Sequence, residues 1–379
     1  MPVLSNGLVS SHFDIATSGG SYTVAVAPGL FEDTLKETRE RIWIVDDFFA
    51  ERVAALKLDA ILVHAEEPTK SLDRMTEVIV ALRERGVSRR TQLVAVGGGV
   101  VQDVAAFVAA IYMRGVEYIY LPTTLLSMAD SCIGGKSSIN VGRYKNIVGS
   151  IVPPSAVRVD PAFSTTLTRE QIAEGLCEAA KIALAGGPAA FEEYLSLAPA
   201  PEADESCMTA VILHALKTKA YFIETDEFDR GERLLLNFGH TFGHAFEAAS
   251  DFKISHGIGV GLGMMAALQL GTALGRDYSK ASHLPAFRSH VTDLTSAADW
   301  LDEKLDALSV DALLDAFASD KKHNREQFVV ILVTEAGTLE RTALPRDDRH
   351  LALIAEAFSG VINRAQASGA PLELATVIG

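Results

Sequence analysis

Through roughly its first 160 residues the chain alternates short runs rich in Val, Ile and Tyr with stretches of helical periodicity, and no other feature restricts its fold as much. Strands are expected at 22–26, 41–45, 61–64, 93–96, 118–121 and 156–159, several of them followed by Asp or Gly. Apolar runs of that length suit strands buried on both faces, and helices between successive strands imply parallel pairing through crossover connections. One such helix is expected over 72–85, where apolar residues recur at helical spacing until Gly86 stops them. From about Leu167 helical patterns take over, at 169–185, 189–197, 208–223, 241–249, 257–274 and 351–366. The exception is a hairpin of 327–333 and 339–343 that turns through Glu335, Ala336 and Gly337. The expected organisation is an α/β domain over 1–166 and a mainly α-helical domain over 167–379, with any chemistry in the cleft between them.

Composition narrows the function classes. At 48% apolar and 22% charged residues, the chain has the make-up of a globular protein with a full core. No apolar run reaches the ~20 residues that span a bilayer, and the first residues lack the basic-then-apolar pattern of a secretory signal. Cys132, Cys177 and Cys207 are too few and too scattered for a disulfide framework, so a reducing, cytoplasmic setting is expected. A net charge of −15 argues against a nucleic-acid partner. It leaves room for a small anionic substrate only where Lys and Arg are gathered locally against the overall field.

Three groups of residues carry chemistry. LVAVGGGVVQD at 93–103 reads as strand, glycine turn, helix, a Rossmann-like arrangement in which glycine admits a pyrophosphate close to backbone and the helix N-terminus offers free N–H groups. Gln102 stands where the dinucleotide fingerprint has its third glycine, and a plain tight turn is the competing reading. His240 and His244 share a helix face in NFGHTFGHAFE, and His256 follows twelve residues later; imidazoles so presented suit zinc or a similar divalent ion. Thr241 occupies the place of the Glu in HExxH, which excludes the zinc-protease pattern. Glu178 in AEGLCEAAKIAL is a candidate carboxylate ligand, although Glu174, Glu178 and Lys181 could also form an exposed ion-pair row. Basic residues recur beside small or apolar ones: Arg114, Lys136, Lys145 next to Asn146, Lys219, Arg233, and Lys321 with Lys322. Singly these read as surface cations; together, in an acidic chain, they suggest an anion-binding cluster.

Taken in order, these segments resemble the 3-dehydroquinate synthase family of sugar-phosphate cyclases. The stretch YMRGVEYIYLPTTLLSMADSCIGGKSSINVGRYKNIVGSIVPP is its most distinctive part, followed by AEGLCEAAKIAL, KAYFIETDE, RLLLNFGHTFGHAFEAA, SHGIGVGLGM and DKK. The resemblance implies a dehydroquinate synthase-like fold, with NAD at the glycine turn of the first domain and a divalent metal, zinc or cobalt, held with the substrate in the second. Carried over by position, the metal ligands are Glu178, His240 and His256, with His244 beside the substrate. NAD contacts fall on Asp46, Glu67, Lys70, Gly98, Gly99, Val100, Asp103, Thr123, Thr124 and Thr166. Substrate contacts fall on Asp130, Lys136, Lys145, Asn146, Lys181, Lys219, Arg233, Asn237 and Lys322, with Arg114 reaching in from a second subunit of a homodimer.

The implied reaction converts 3-deoxy-D-arabino-heptulosonate 7-phosphate to 3-dehydroquinate and phosphate by NAD-cycled oxidation, phosphate elimination, reduction and intramolecular aldol closure. Asn237 and His244 match the dehydroquinate-forming pattern, whereas relatives acting on sedoheptulose 7-phosphate differ there. Gln102 and Asp229 depart from the family's usual Gly and Glu. Another sugar-phosphate cyclase, a metal-dependent polyol or alcohol dehydrogenase, and a catalytically silent binding protein are the competing classes.

Overall fold

The computed structural model describes residues 11–142 and 144–363. The chain divides into two compact units, Met1–Leu234 and Leu235–Gly379.

Among the described residues of the first unit, seven strands form one sheet. They are β1 Ser11–Thr17, β2 Gly20–Val26, β3 Arg41–Asp46, β4 Ala60–Val63, β5 Gln92–Gly97, β6 Tyr118–Pro122 and, after a separate hairpin of β7 Ile139–Val141 and β8 Tyr144–Val148, β9 Ala156–Val159. The order is β1-β2-β9-β6-β5-β3-β4, parallel except where β1 meets β2. β5 and β6 are buried at every position, which is why they read as continuous apolar runs. β4 lies on one side of β3 and β5 on the other, so the strand order reverses at the carboxyl ends of β3 and β5. Open α/β sheets take their ligands in the crevice at such a switch point.

Helices α1 Leu30–Lys36, α2 Ala50–Leu56, α3 Leu72–Glu84 and α4 Gly99–Ile111 connect these strands. Then α5 Arg169–Ala185, α6 Pro188–Ser196 and α7 Glu205–Thr225 follow the sheet within the same unit. Thr168 and Gln171 close a capping box at the start of α5. The compact units part further on, after Leu234.

The second unit contains α8 His240–Ala249, α9 His256–Ala273, α10 Leu284–Thr295, α11 Leu301–Asp306, α12 Val310–Ala318, the hairpin β10 Gln327–Val333 with β11 Leu339–Pro345, and α13 Asp348–Ile362. Helix α9 is buried on almost every side. It meets α8 through glycine: a Cβ on Gly243 would fall 2.9 Å from the Gly259 carbonyl oxygen, and one on Gly263 2.0 Å from that of Gly239. Only hydrogen at these positions lets the two backbones touch. Residues 364–366 of the last expected helix lie outside the described residues. No helix among the described residues is long and apolar enough to cross a membrane.

Candidate active site

The glycine turn at the end of β5 is built for close approach. A Cβ on Gly97 would lie 2.5 Å from Val101 Cγ2 and one on Gly98 3.0 Å from Thr124 Cγ2, whereas the space around Gly99 is open. Gly99 and Val100 open α4, so the first turn of that helix presents amide N–H groups beside open space. Thr123, at the end of β6, donates its backbone N–H to the Gly97 carbonyl (3.0 Å), and the Thr124 hydroxyl pairs with that of Ser127 (2.8 Å). Asp46 closes β3 across the switch point and accepts from the Phe48 amide (3.0 Å); burial pushes its carboxyl up. Lys70 donates to Asp103 (3.0 Å) and stands 3.6 Å from Glu67. Burial pushes the Asp103 carboxyl up to about 6, against the pull of Lys70. Thr166 ends the short helical turn Pro161–Thr166, its hydroxyl donating to the Phe163 carbonyl (2.8 Å). These residues fit a dinucleotide: a backbone cradle for pyrophosphate, with carboxylates beyond it that can accept from hydroxyl groups.

A second cluster in the same unit gathers most of the expected cations. Lys219, on α7, donates to both the backbone carbonyl (2.6 Å) and the side chain (2.5 Å) of Asp130, which sits in the π-helical turn Ser127–Ser131. Lys181 stands 3.4 Å from the other Asp130 oxygen and hydrogen-bonds Glu178 one turn earlier on α5. Glu178 and Lys181 are almost wholly buried, so the exposed ion-pair reading fails. Burial pushes the Asp130 carboxyl up, but Lys181 and Lys219 outweigh it and hold the group below its ordinary range. Burial pushes Lys181 down, and Asp130 with Glu178 more than reverse this. Lys219 stays lowered, by burial and then by neighbouring Arg233.

Arg233 is buried and donates to the carbonyls of Glu227 (2.7 Å) and Gly134 (3.3 Å). Gly134 has φ +95, a conformation that favours glycine, and Arg233 Nη2 lies 2.1 Å from where a Cβ there would stand. Lys136 pairs with Asp229 (2.5 Å) and keeps 46% of its side chain exposed. Asp229 has φ +58, a backbone conformation Asp tolerates better than the longer Glu.

Three expected contact residues lie on the surface of this unit. Lys145 and Asn146 are exposed on β8; the Asn146 amide donates to Asn140 (2.8 Å), whose own side chain donates to Glu67 (2.8 Å). Arg114 is exposed in a left-handed turn after α4, with φ 65.

In the second unit the three imidazoles converge. Ring centroids are 5.6 Å apart for His240–His244, 5.3 Å for His240–His256 and 6.1 Å for His244–His256. Glu247 Oε1 lies 2.9 Å from His256 Nδ1, an arrangement that puts the proton on Nδ1 and leaves Nε2 for a cation. Ligand atoms of His244, Glu247 and His256 come within 4.8 Å of one another, so nitrogen and carboxylate donors of the type a divalent ion takes are already assembled. Asp320 lies 3.2 Å from His244 Nδ1 and accepts from the Lys322 ammonium (3.2 Å) and amide (2.8 Å). Burial pushes its carboxyl up, but His244 and Lys322 hold it well below the usual range. Lys322 is therefore the lysine of the pair drawn in beside His244, while Lys321 is exposed. Asn237, half-buried, ends the short helical turn Glu232–Asn237 just before α8.

Three residues escaped sequence reading. Glu247 lies three residues after His244 and seven after His240, on their helix face, so its signal was available. Asp320 is 76 residues from His244, and spacing alone does not connect them. Gln102 was read only as a missing glycine, yet its buried amide makes two hydrogen bonds of its own.

The chain is similar to known proteins over nearly all its length. The family models described as 3-dehydroquinate synthase N-terminal and C-terminal match residues 60–174 and 175–323. A 3-dehydroquinate synthase of Ruegeria pomeroyi is 33% identical over 360 residues, covering 88% of this chain and 95% of that protein. One from Xylella fastidiosa is 36% identical over 277 residues, 67% and 70% of the two chains. Among solved structures, 2-deoxy-scyllo-inosose synthase complexed with carbaglucose-6-phosphate, NAD+ and Co2+ has a TM-score of 0.79 at 23% identity, covering 92% of this chain and 99% of that one. The 2-epi-5-epi-valiolone synthase of Streptomyces hygroscopicus, with NAD+ and Zn2+ bound, reaches 0.72 at 24%, with the same coverage. An iron-containing alcohol dehydrogenase of Thermotoga maritima reaches 0.52 at 14%, covering 88% and 94%. These structures share the fold of an α/β sheet unit followed by a helical one. With sequence relatives matched almost end to end, the chain belongs to the 3-dehydroquinate synthase family.

Proposed function

We propose that the chain is a 3-dehydroquinate synthase, closing 3-deoxy-D-arabino-heptulosonate 7-phosphate to 3-dehydroquinate with release of phosphate. The observation that carries this over a simple alcohol dehydrogenase is the Asp130 cluster, where Lys181 and Lys219 are buried on one carboxylate with Arg233 close enough to Lys219 to lower it. Gathering cations in a chain of net charge −15 has a desolvation cost, which an anionic substrate offsets.

In this reading Glu178, His240 and His256 hold one divalent ion, zinc or cobalt, and the crevice at Gly98, Gly99 and Asp46 holds NAD. When bound, NAD supplies a hydride acceptor that is restored within each turnover, and the ion supplies a Lewis acid for the oxidised hydroxyl. The chain's residues do the rest. Arg233 offers a planar fork to the carboxylate, and Lys136, Lys219 and Lys322 act as point charges on phosphate. Held so, the substrate starts in reacting geometry, which can contribute about 7–11 kcal/mol. His244, donating from Nδ1 to the ionised Asp320, keeps Nε2 as an acceptor for a substrate hydroxyl proton. A cytoplasmic homodimer, with the exposed Arg114 entering the partner's site, completes the proposal.

The test is phosphate release from a panel of seven-carbon sugar phosphates with NAD and zinc present, with the product identified by NMR. Release from the heptulosonate substrate supports the reading. Release from sedoheptulose 7-phosphate alone assigns a different cyclase, and net NADH accumulation with simple polyols a dehydrogenase.

Dinucleotide affinity carries its own prediction. Asp103, pushed up to about 6, takes up a proton as the pH falls through that value and then accepts poorly from Lys70 and from a ribose hydroxyl. NAD binding is expected to weaken about tenfold from about pH 8 to about pH 5. Asp103→Asn should flatten that profile at the weaker level. Fluorescence titration across this range measures it, and a flat wild-type profile would refute the assignment.

A further inference from the structure

The hairpin of β7 and β8 does not pair evenly. Ile139 faces Val148 and Val141 faces Tyr144, so Asn140 alone stands opposite Lys145, Asn146 and Ile147. Extra residues on one strand form a bulge, which interrupts the ladder and re-aims the side chains it carries. Asn146 has φ +54 within this bulge, a left-handed conformation that Asn tolerates better than most residues. Its backbone N–H donates to the side-chain oxygen of Asn140 (2.8 Å), so a carboxamide supports the bulge where the ladder is interrupted.

The other end of the same carboxamide meets the dinucleotide side of the unit. Asn140 Nδ2 donates to Glu67 Oε1 (2.8 Å). A carboxylate only accepts and a backbone N–H only donates, so the two contacts together fix which way the amide faces. Asn140 is buried, which shields both bonds from competing water. Glu67 opens the short helical turn Glu67–Thr69, just before Lys70, and both residues are dinucleotide contacts in the proposed function. The base of the hairpin does not depend on this side chain. The Asn140 backbone N–H donates to the Lys70 carbonyl (2.8 Å), that of Ser137 to the Ser150 carbonyl (2.9 Å) and that of Ser138 to Asp103 (3.0 Å). The carboxamide therefore governs the bulge, and the backbone governs the hairpin's attachment.

We propose that Asn140 is a positioning residue that couples bound dinucleotide to the bulge presenting Lys145 and Asn146. A dinucleotide hydroxyl donating to Glu67 orders that carboxylate, the carboxylate holds the Asn140 amide, and the amide holds the Asn146 N–H. The proposal rests on the cyclase reading in taking Glu67 as a dinucleotide contact and Lys145 with Asn146 as substrate contacts, but the coupling itself is read without substrate. Coupling of this kind is reciprocal, so a substrate that orders the bulge tightens the dinucleotide by the same factor.

Hydrogen exchange of peptides covering β8, in the full chain with and without saturating NAD, reads the coupling. In wild type NAD should slow this exchange about fivefold, the size of one net hydrogen bond. Asn140→Leu removes both bonds and should exchange faster than wild type whether or not NAD is bound. Asn140→Asp keeps an acceptor for the Asn146 N–H but sets a second carboxylate against Glu67, so it should abolish the effect of NAD alone. Adding Glu67→Gln to Asn140→Asp restores that hydrogen bond with donor and acceptor exchanged, and should return most of the NAD effect. A residue that merely braces the fold is not rescued in this way. Thermal melting checks that each variant is folded, and Asn140→Asp with its rescue carries the test where Asn140→Leu is not. Exchange in wild-type β8 that ignores saturating NAD overturns the proposal. So does an undiminished NAD effect in Asn140→Asp, or a double variant no better than Asn140→Asp. Wild-type protein that shows the NAD effect yet releases no phosphate from the heptulosonate substrate supports the coupling and defeats the proposed activity alone.

Discussion

His256→Ala is expected to yield folded protein that has lost its divalent ion and turns over on the order of a thousandfold more slowly, or worse. The size follows from what the ion supplies, since a Lewis acid on the oxidised hydroxyl is worth several kcal/mol of barrier, and each ~1.4 kcal/mol is a factor of ten. His256 opens α9 with its side chain part exposed, so its removal leaves no buried cavity to unfold the helix. Glu178→Gln should lose the ion as well, because a neutral amide is a poor replacement for an anionic donor. Glu247→Gln should give an intermediate result, about 10–100-fold weaker metal binding, since Glu247 holds the His256 ring by its Nδ1 proton. Elemental analysis of protein purified without added metal, alongside thermal melting, separates ion loss from unfolding. A full complement of ion in folded His256→Ala would remove His256 from the ligand set.

Much of the fold was legible because it rests on burial. β5 and β6 have no exposed position, so their apolar runs had one sensible reading. Two of the strands that escaped notice bury little: β1 has Ile15 as its one fully buried residue, and β8 is exposed or half-exposed throughout; the third, β7, is buried but only three residues long. Such segments owe their form to pairing partners elsewhere in the chain, which local pattern does not encode. Helices α1 and α2 are seven residues each, too short for periodicity to declare itself. The extent of the sheet unit was hidden too: α5 to α7 look like the start of a helical domain yet share a compact unit with the sheet.

The site divides along the same line. Residues whose chemistry is local were readable: the glycine turn from its bare backbone, His240 and His244 from their spacing. Glu178 was ambiguous until burial decided against a solvated row. Asp320 and Gln102 act across 76 and 29 residues of sequence, and their partners emerge only in three dimensions. Gln102 shows the hazard of reading a position by what it lacks. As an absent glycine it weakened the dinucleotide signature; as an amide it ties α4 to the turn that carries Asp130.

That turn is also where the second large effect is expected. Asp130→Asn should destabilise the first unit by about 3–5 kcal/mol, because Lys219 would keep its charge in a buried site with its counter-ion gone, while Lys181 would be left with Glu178 alone. Hydrogen exchange of the α5 and α7 amides under native conditions reads this unit directly, apart from the second. The double variant Asp130→Asn with Lys219→Met should recover much of the loss, since a neutral side chain of similar length removes one stranded ammonium. The pH dependence follows from the sign of the shift: with its carboxyl held below the ordinary range, Asp130 contributes stability above about pH 4 and loses that contribution as the pH falls through its lower folded value. Wild type and Asp130→Asn should therefore differ most near neutrality and converge in acid. A constant difference down to strong acid, or a double variant as unstable as the single one, would show that Asp130 is not what keeps these lysines in place.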